Sequence, residues 1–189
     1  KFQAKRVVEV FERLNVDFIT TACASCGIAL KHHLTELLED EDEETRNKAK
    51  ALGKKVRDIT ELLVNELGYS KTIHDPRSTI HNKIVTYHDP CHLCRSQKIN
   101  EEPRSLIETA GARLKEMSDP SRCCGLGGTF SLENYELSME INREKTEAIK
   151  ETGADIVVTA CPGCIIHLRD GLHRAGFDTE VRHVVELLT

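Results

Sequence analysis

The sequence predicts an α/β fold with a mostly parallel sheet, built as a duplicated strand–helix module whose first copy is truncated. Three observations carry this. Short β-forming runs alternate with helix-period segments along the 189 residues. The stretch 15–34 (NVDFITTACASCGIALKHHL) returns at 153–172 (GADIVVTACPGCIIHLRDGL), and VRDITELL (56–63) is echoed by VRHVVELL (181–188). Finally, paired cysteines sit where a strand hands over to a helix.

In chain order, residues 4–14 have the periodicity of a helix. Val16, Phe18 and Ile19 make 16–21 a buried strand, and a helix over 24–38 opens at Cys23-x-x-Cys26. The acidic run from Glu39 to Glu44 reads as a solvated face, and 45–67 as one helix stopped by Gly68. Lys83–Tyr87 is a short strand leading into Asp89-Pro90-Cys91, where Asp89 is expected to cap the turn. A helix over 101–110, a strand over 113–117, a helix over 133–151 ending near Gly153, a strand over 155–160 and a helix over 163–175 complete the pattern. The expected organisation is the C-terminal part of a first cysteine-rich module at 1–68, a linker at 69–82 and a complete module at 83–189. The chain opens on Lys1 and not on Met, so a longer parent is expected.

Composition excludes several classes. A net charge of −5 disfavours binding to a phosphate backbone, and the absence of Trp with 4% aromatic residues disfavours a base-stacking surface. No nucleic-acid partner is expected. No apolar run approaches the ~20 residues of a membrane span, so there is no direct transmembrane segment. The first residues do not resemble a secretory signal. The expected location is cytoplasmic, with any contact to the inner face of a membrane made through partners.

Eight cysteines fall as Cys23-x-x-Cys26, Cys91-x-x-Cys94, Cys123-Cys124 and Cys161-x-x-Cys164. Close pairs in a chain this long, without a signal peptide, point to metal or redox chemistry and away from a disulfide framework. Helix N-termini favour the thiolate that ligates metal. From Cys91 the spacing is thirty-one residues, two adjacent cysteines, thirty-six residues, then Cys-x-x-Cys. Spacing alone leaves a zinc site open, with Cys91, Cys94, Cys161 and Cys164 as a four-thiolate set and no role for Cys123 and Cys124. One Cys-x-x-Cys is weak support for a thioredoxin-type pair.

The segments YHDPCH (87–92), CCGLGGTF (123–130) and TGADIVVTACPGCIIHLRDGL (152–172) resemble the cysteine-rich CCG domain of iron–sulfur oxidoreductases. That family includes the iron–sulfur subunits of glycolate oxidase and lactate-utilisation enzymes and the heterodisulfide reductase B subunit. The resemblance implies duplicated Rossmann-like modules and a [4Fe-4S] cluster, which in this family can be noncubane. Its ligands would be Cys91, Cys123, Cys124, Cys161 and Cys164, with Gly125 letting the backbone approach the cofactor. Cys23 and Cys26 would be metal ligands left from the sister module, without their upstream partners here. Cys94 departs from the family pattern, and His88 and His92 read first as structural polar residues.

By the same resemblance, the chain is an electron-transfer domain of a flavin-linked 2-hydroxy acid (glycolate or lactate) oxidase. It is expected to be part of an oxidoreductase complex and not a complete enzyme, with no catalytic residue assigned. The implied partners are a flavoprotein or other redox subunit, with a quinone or a disulfide as further substrate. Two other readings stand: heterodisulfide-reductase-type thiol–disulfide catalysis at the cluster, and a zinc-stabilised interaction module.

Overall fold

The computed structural model describes residues 1–69 and 80–188, so most of the expected linker lies outside the described residues. Helix α1 (Phe2–Arg13) turns Ala4 and Val8 inward at i, i+4. Asn15 then takes a positive φ of 44° and redirects the chain. Strand β1 (Ile19–Thr21) is shorter than the 16–21 expected, because this bend and the exposed Phe18 precede it. Helix α2 (Ala24–Ile28) continues through a π-helical turn at Ala29–His33 into α3 (Leu34–Leu37), a single path over the expected 24–38. Helix α4 (Glu43–Lys55) starts at Asp42, whose carboxylate accepts from the Thr45 N–H at 2.9 Å.

The single helix expected over 45–67 is corrected. Strand β2 (Val56–Asp58) interrupts it and pairs parallel to β1, Ile19 against Val56. The β-branched Val56 is wholly buried there. Asp58 and Glu61 then form a capping box that starts α5 (Ile59–Glu61), which runs on as a π-helical turn at Leu62–Glu66. Ala4, Val8, Ile19, Leu34, Leu38, Ala49, Leu52 and Val56 form the core of this part.

The second part is a four-stranded, all-parallel sheet in the order β4-β3-β5-β6. Its strands are β3 (Ile84–His88), β4 (Arg113–Leu114), β5 (Ile156–Thr159) and β6 (Glu180–His183). All four residues of β5 are buried, as expected for a central parallel strand. The crossovers include α6 (Glu101–Thr109), α7 (Phe130–Glu133), α8 (Tyr135–Thr152) and α9 (Pro162–Arg174). Gly153 ends α8 in the left-handed conformation, φ 63°. Strand β6 lies in the repeated VRH segment, where periodicity alone predicts no strand.

The repeat is structural as well as textual. Ile19 opposite Val56 in one sheet corresponds to Val157 opposite Val181 in the other. Cys23 and Cys161 cap their helices with nearly the same backbone, φ/ψ −150°/111° and −144°/117°. After each second strand one side chain caps the next turn: Asp58 accepts from the Thr60 N–H, His183 Nδ1 from the Val185 N–H. The two parts touch where α2 begins. Ala24 is buried in the larger core, and Gln97 Nε2 donates to its carbonyl at 3.1 Å.

Candidate metal centre

Three chain segments meet at the carboxyl ends of the parallel strands, where α/β folds place ligands. Strand β3 runs out through Asp89 and Pro90 to Cys91, the loop after β4 carries Cys123 and Cys124, and β5 delivers Cys161 and the first turn of α9 with Cys164. Neighbouring thiols come close enough to perturb one another in sequence: Cys91 with Cys123, Cys123 with Cys124, Cys124 with Cys164 and Cys164 with Cys161. Cys124 and Cys164 sulfurs stand 3.4 Å apart. Cys124, Cys161 and Cys164 are buried, while Cys91 and Cys123 are half-buried, so the group has one edge toward solvent.

One face of α8 holds the loop in place. Ser138 Oγ donates to the Gly125 carbonyl at 2.9 Å. Asn142 Nδ2 donates to the carbonyls of Cys124 and His167, at 3.1 and 3.0 Å. Lys145 Nζ donates to the carbonyls of Asp119 and Pro120, at 2.8 and 3.2 Å. All three are wholly buried, at i, i+4 and i+7. Gly125 takes φ 101°, and a Cβ there would collide with the Ser138 carbonyl, so this position needs glycine. Its N–H donates to Cys123 Sγ at 3.3 Å. Pro162 opens α9 at its first positions, as the sequence suggests.

Asp89 does not cap the turn before Cys91. Its carboxylate is held by Arg104 through two 2.9 Å bonds, and Arg104 also reaches Glu116 and lies 5.1 Å over the Tyr87 ring. A bidentate arginine outcompetes a local turn for a carboxylate this buried.

The sulfurs are electrostatically unequal. Cys123 is pushed down by the thiols of Cys124 and Cys91 that donate to it, helped by the Gly125 N–H. Cys161 falls to about 5, first through the Cys164 thiol, then through the Cys164 and Gly163 N–H groups at the start of α9 and the Ser25 hydroxyl. Cys164 is held well above the usual thiol range by the adjoining Cys124 and Cys161 and by burial. Cys23 has the same cap position as Cys161 yet rises to about 11, because burial outweighs the help of the Cys26 backbone. A helix N-terminus therefore favours the thiolate here only where further donors converge.

Cys94 stays outside the chain of sulfurs. It is buried, and its Sγ points to the Asp89 carbonyl at 4.0 Å. The four-thiolate set with Cys91, Cys94, Cys161 and Cys164 is thus not the set the fold draws together, whereas Cys123 and Cys124 are central to it. Cys23 and the exposed Cys26 lie at the edge, where Cys23 feels the charge of Cys161. His92 Nδ1 pairs with Ser25 Oγ at 2.9 Å, and Ser25 in turn reaches Cys161.

Sequence reasoning reads His88 first as a structural polar residue. Among the described residues, a ring nitrogen of His88 and the sulfurs of Cys124 and Cys164 all lie within 4.8 Å of one another. Burial, then the nearby Lys145, lowers its pKa to about 3, so the ring is neutral. The only signal in the sequence is its position at the end of a strand three residues before Cys91. Five thiols and a neutral imidazole make a soft donor set, suited to iron–sulfur or zinc chemistry.

Comparison with known proteins agrees with this geometry. A family model described as a cysteine-rich domain (CCG) matches residues 1–31 and 85–169. The chain is 36% identical to the probable glycolate oxidase iron-sulfur subunit of Bacillus subtilis (strain 168), over 98% of this chain and 41% of that protein. It is 35% identical to lactate utilization protein A of Lysinibacillus sphaericus (strain C3-41), over 97% of this chain and 77% of that one. It is 33% identical to the B subunit of the fumarate reductase (CoM/CoB) of Methanothermobacter marburgensis, over 91% of this chain and 32% of the relative. The chain thus spans less than half the length of some relatives and about three quarters of others. With both modules' motifs matched and the five cysteines gathered at one strand edge, the chain belongs to the cysteine-rich CCG domain family.

Proposed function

We propose that this chain holds a [4Fe-4S] cluster of the noncubane kind on Cys91, Cys123, Cys124, Cys161 and Cys164, and serves as the electron-transfer domain of an oxidoreductase for glycolate or lactate. The observation that carries the proposal is the convergence of five cysteines, from the turn after β3, the loop after β4 and the start of α9, at the carboxyl ends of the parallel strands, with Cys124 and Cys164 sulfurs 3.4 Å apart. A bound cluster supplies one-electron transfer, at a potential the protein sets. The residues around it do the rest. Cys123 and Cys161 carry the most thiolate character, so they are the readiest anchors. Ser138, Asn142 and Lys145 fix the loop so that little reorganisation accompanies binding. Leu93, Leu126, Ala160 and Leu168 pack around the inner sulfurs and keep water from them. The half-buried Cys91–Cys123 edge is the route by which electrons reach a partner. Two of these relatives are named as subunits, which supports a second redox subunit in that role, and a flavoprotein is a partner that can take the hydride of a 2-hydroxy acid and pass its electrons on singly.

The same open edge favours one second reading, direct attack on a disulfide substrate at the centre, in keeping with the relative named for CoM/CoB. Anaerobic purification or reconstitution, followed by iron and sulfide analysis and EPR, tests the main proposal. Four irons with matching sulfide are expected, retained in Cys94→Ser and lost when Cys123 or Cys161 becomes Ser. Stoichiometric zinc without sulfide would overturn it. Turnover of a disulfide without a flavoprotein would replace relay by catalysis.

A further inference from the structure

Among the described residues, His88 is a side chain inside the site that the cysteine set leaves without a task. It closes β3 in register with Thr159 of β5, so its backbone position is fixed by the sheet. The side chain is wholly buried, and neither ring nitrogen completes a hydrogen bond. The Pro120 carbonyl lies beside the ring, but it already accepts from the Asp89 N–H at 3.1 Å and from Lys145. A buried polar group left bare costs about 1–3 kcal/mol, and native proteins keep few of them. Here the bare group faces two buried sulfurs, those of Cys124 and Cys164.

Distance makes the facing significant. His88 nitrogen, Cys124 Sγ and Cys164 Sγ are within 4.8 Å of one another. A nitrogen at about 2.1 Å and a sulfur at about 2.3 Å from one metal stand at most about 4.4 Å apart. The three atoms therefore need only a small contraction to share a coordination sphere. An imidazole has two nitrogens, so one can meet the metal while the other turns its N–H toward the Pro120 carbonyl. That is the usual way a ligating histidine is oriented. Imidazole in place of thiolate is also a known way for proteins to raise the potential of an iron–sulfur centre.

We propose that His88 is a nitrogen ligand of the metal–sulfur centre, binding iron at the Cys124–Cys164 edge. This rests on the cluster reading given above. It makes the donor set five thiolates and one imidazole, and it ties strand β3 to the cofactor directly.

The test is pulsed EPR on the full chain carrying its cluster, with the histidines labelled in ¹⁵N and the centre brought to a paramagnetic state. The expected result is a histidine nitrogen coupling of the size seen for metal-bound imidazole. It should vanish in His88→Leu, and in His88→Cys the midpoint potential should move to more negative values. If the wild-type centre holds iron and sulfide but shows no histidine coupling, or only the weak coupling of a hydrogen-bonded ring, ligation by His88 is overturned and the cluster reading stands. If no iron and sulfide are found, the cluster reading itself has failed. Should His88→Leu not fold, the labelled wild-type spectrum decides alone.

Discussion

Asn142 and Gly171 make the sharpest test of how α8 builds the site. Asn142 is wholly buried and joins the Cys124 carbonyl on the loop to the His167 carbonyl on α9. Asn142→Ala removes both bonds. The bond to the helical His167 carbonyl is worth about 1 kcal/mol net, and stranding the buried Cys124 carbonyl costs about 1–3 kcal/mol, so a loss of roughly 2–4 kcal/mol is expected. With a urea m-value of about 2 kcal/mol/M the midpoint falls by about 1–2 M. Gly171 sits in α9 against the same side chain, and a Cβ there would occupy the place of Asn142 Oδ1. Gly→Ala inside a helix ordinarily stabilises by about 1 kcal/mol. Here Gly171→Ala should destabilise, by expelling Asn142 from its two bonds. The double variant should then be more stable than the sum of the singles by at least about 1 kcal/mol, since the new methyl group fills the space the amide leaves. Urea unfolding of the four proteins measures this. Stabilisation by Gly171→Ala, or additivity within about 0.5 kcal/mol, would refute the clamp.

Three further outcomes are expected. Arg104→Lys keeps a charge but loses the paired bonds to Asp89, so the chain should lose roughly 2 kcal/mol in urea unfolding; an unchanged midpoint would show that Asp89 needs no fork. Burial lowers the pKa of His88, His167 and His183, so the unfolded chain binds more protons than the folded one below pH 6.5. Stability of the metal-free protein should therefore fall as pH drops from 6.5, by up to about 1.4 kcal/mol per pH unit for each such histidine, and His183→Gln should flatten the slope; a midpoint that rises toward pH 5.5 would contradict it. Ser25→Ala should raise the thiol pKa of Cys161, read as a shift to higher pH of the midpoint of its alkylation-rate profile in the metal-free protein, because it removes one donor to that sulfur; an unaltered midpoint would remove Ser25 from the site.

What can be read from the sequence divides by the range of the cause. The parallel α/β architecture, the helix starts at Cys23 and Cys161 and the stop at Gly153 follow from local periodicity and capping, and they hold in the structure. The two strands that periodicity misses, β2 and β6, are three and four residues long and are made by pairing, β2 with β1 and β6 with β5. Neighbouring helical periodicity hides the first. Asp89 looks like a cap because its partner Arg104 lies fifteen residues away. Ser138, Asn142 and Lys145 have helical spacing, but polar residues at such spacing usually face water, and only the loop packed against them makes that face an interior one. His88 reads as merely structural for the same reason: its place depends on Cys124 and Cys164, which come from elsewhere in the chain.

The repeat shows why local pattern is insufficient for the chemistry. Cys23 and Cys161 follow the same Thr-Ala pair, leave equivalent strands and cap helices with nearly equal backbone angles. A rule based on strand, turn and helix end would give them the same thiol. The structure separates them by several pKa units, in opposite directions from the ordinary value. Cys161 has the Cys164 thiol and two backbone N–H groups as donors and the Ser25 hydroxyl beyond them. Cys23 has burial with the Cys26 backbone as its main relief. Ser25 belongs to the first copy of the repeat, so that copy supplies a donor to the second copy's sulfur. The duplicated backbone thus provides two places for a thiolate, and the Cys164 thiol, the first N–H groups of α9 and Ser25 decide which one is filled.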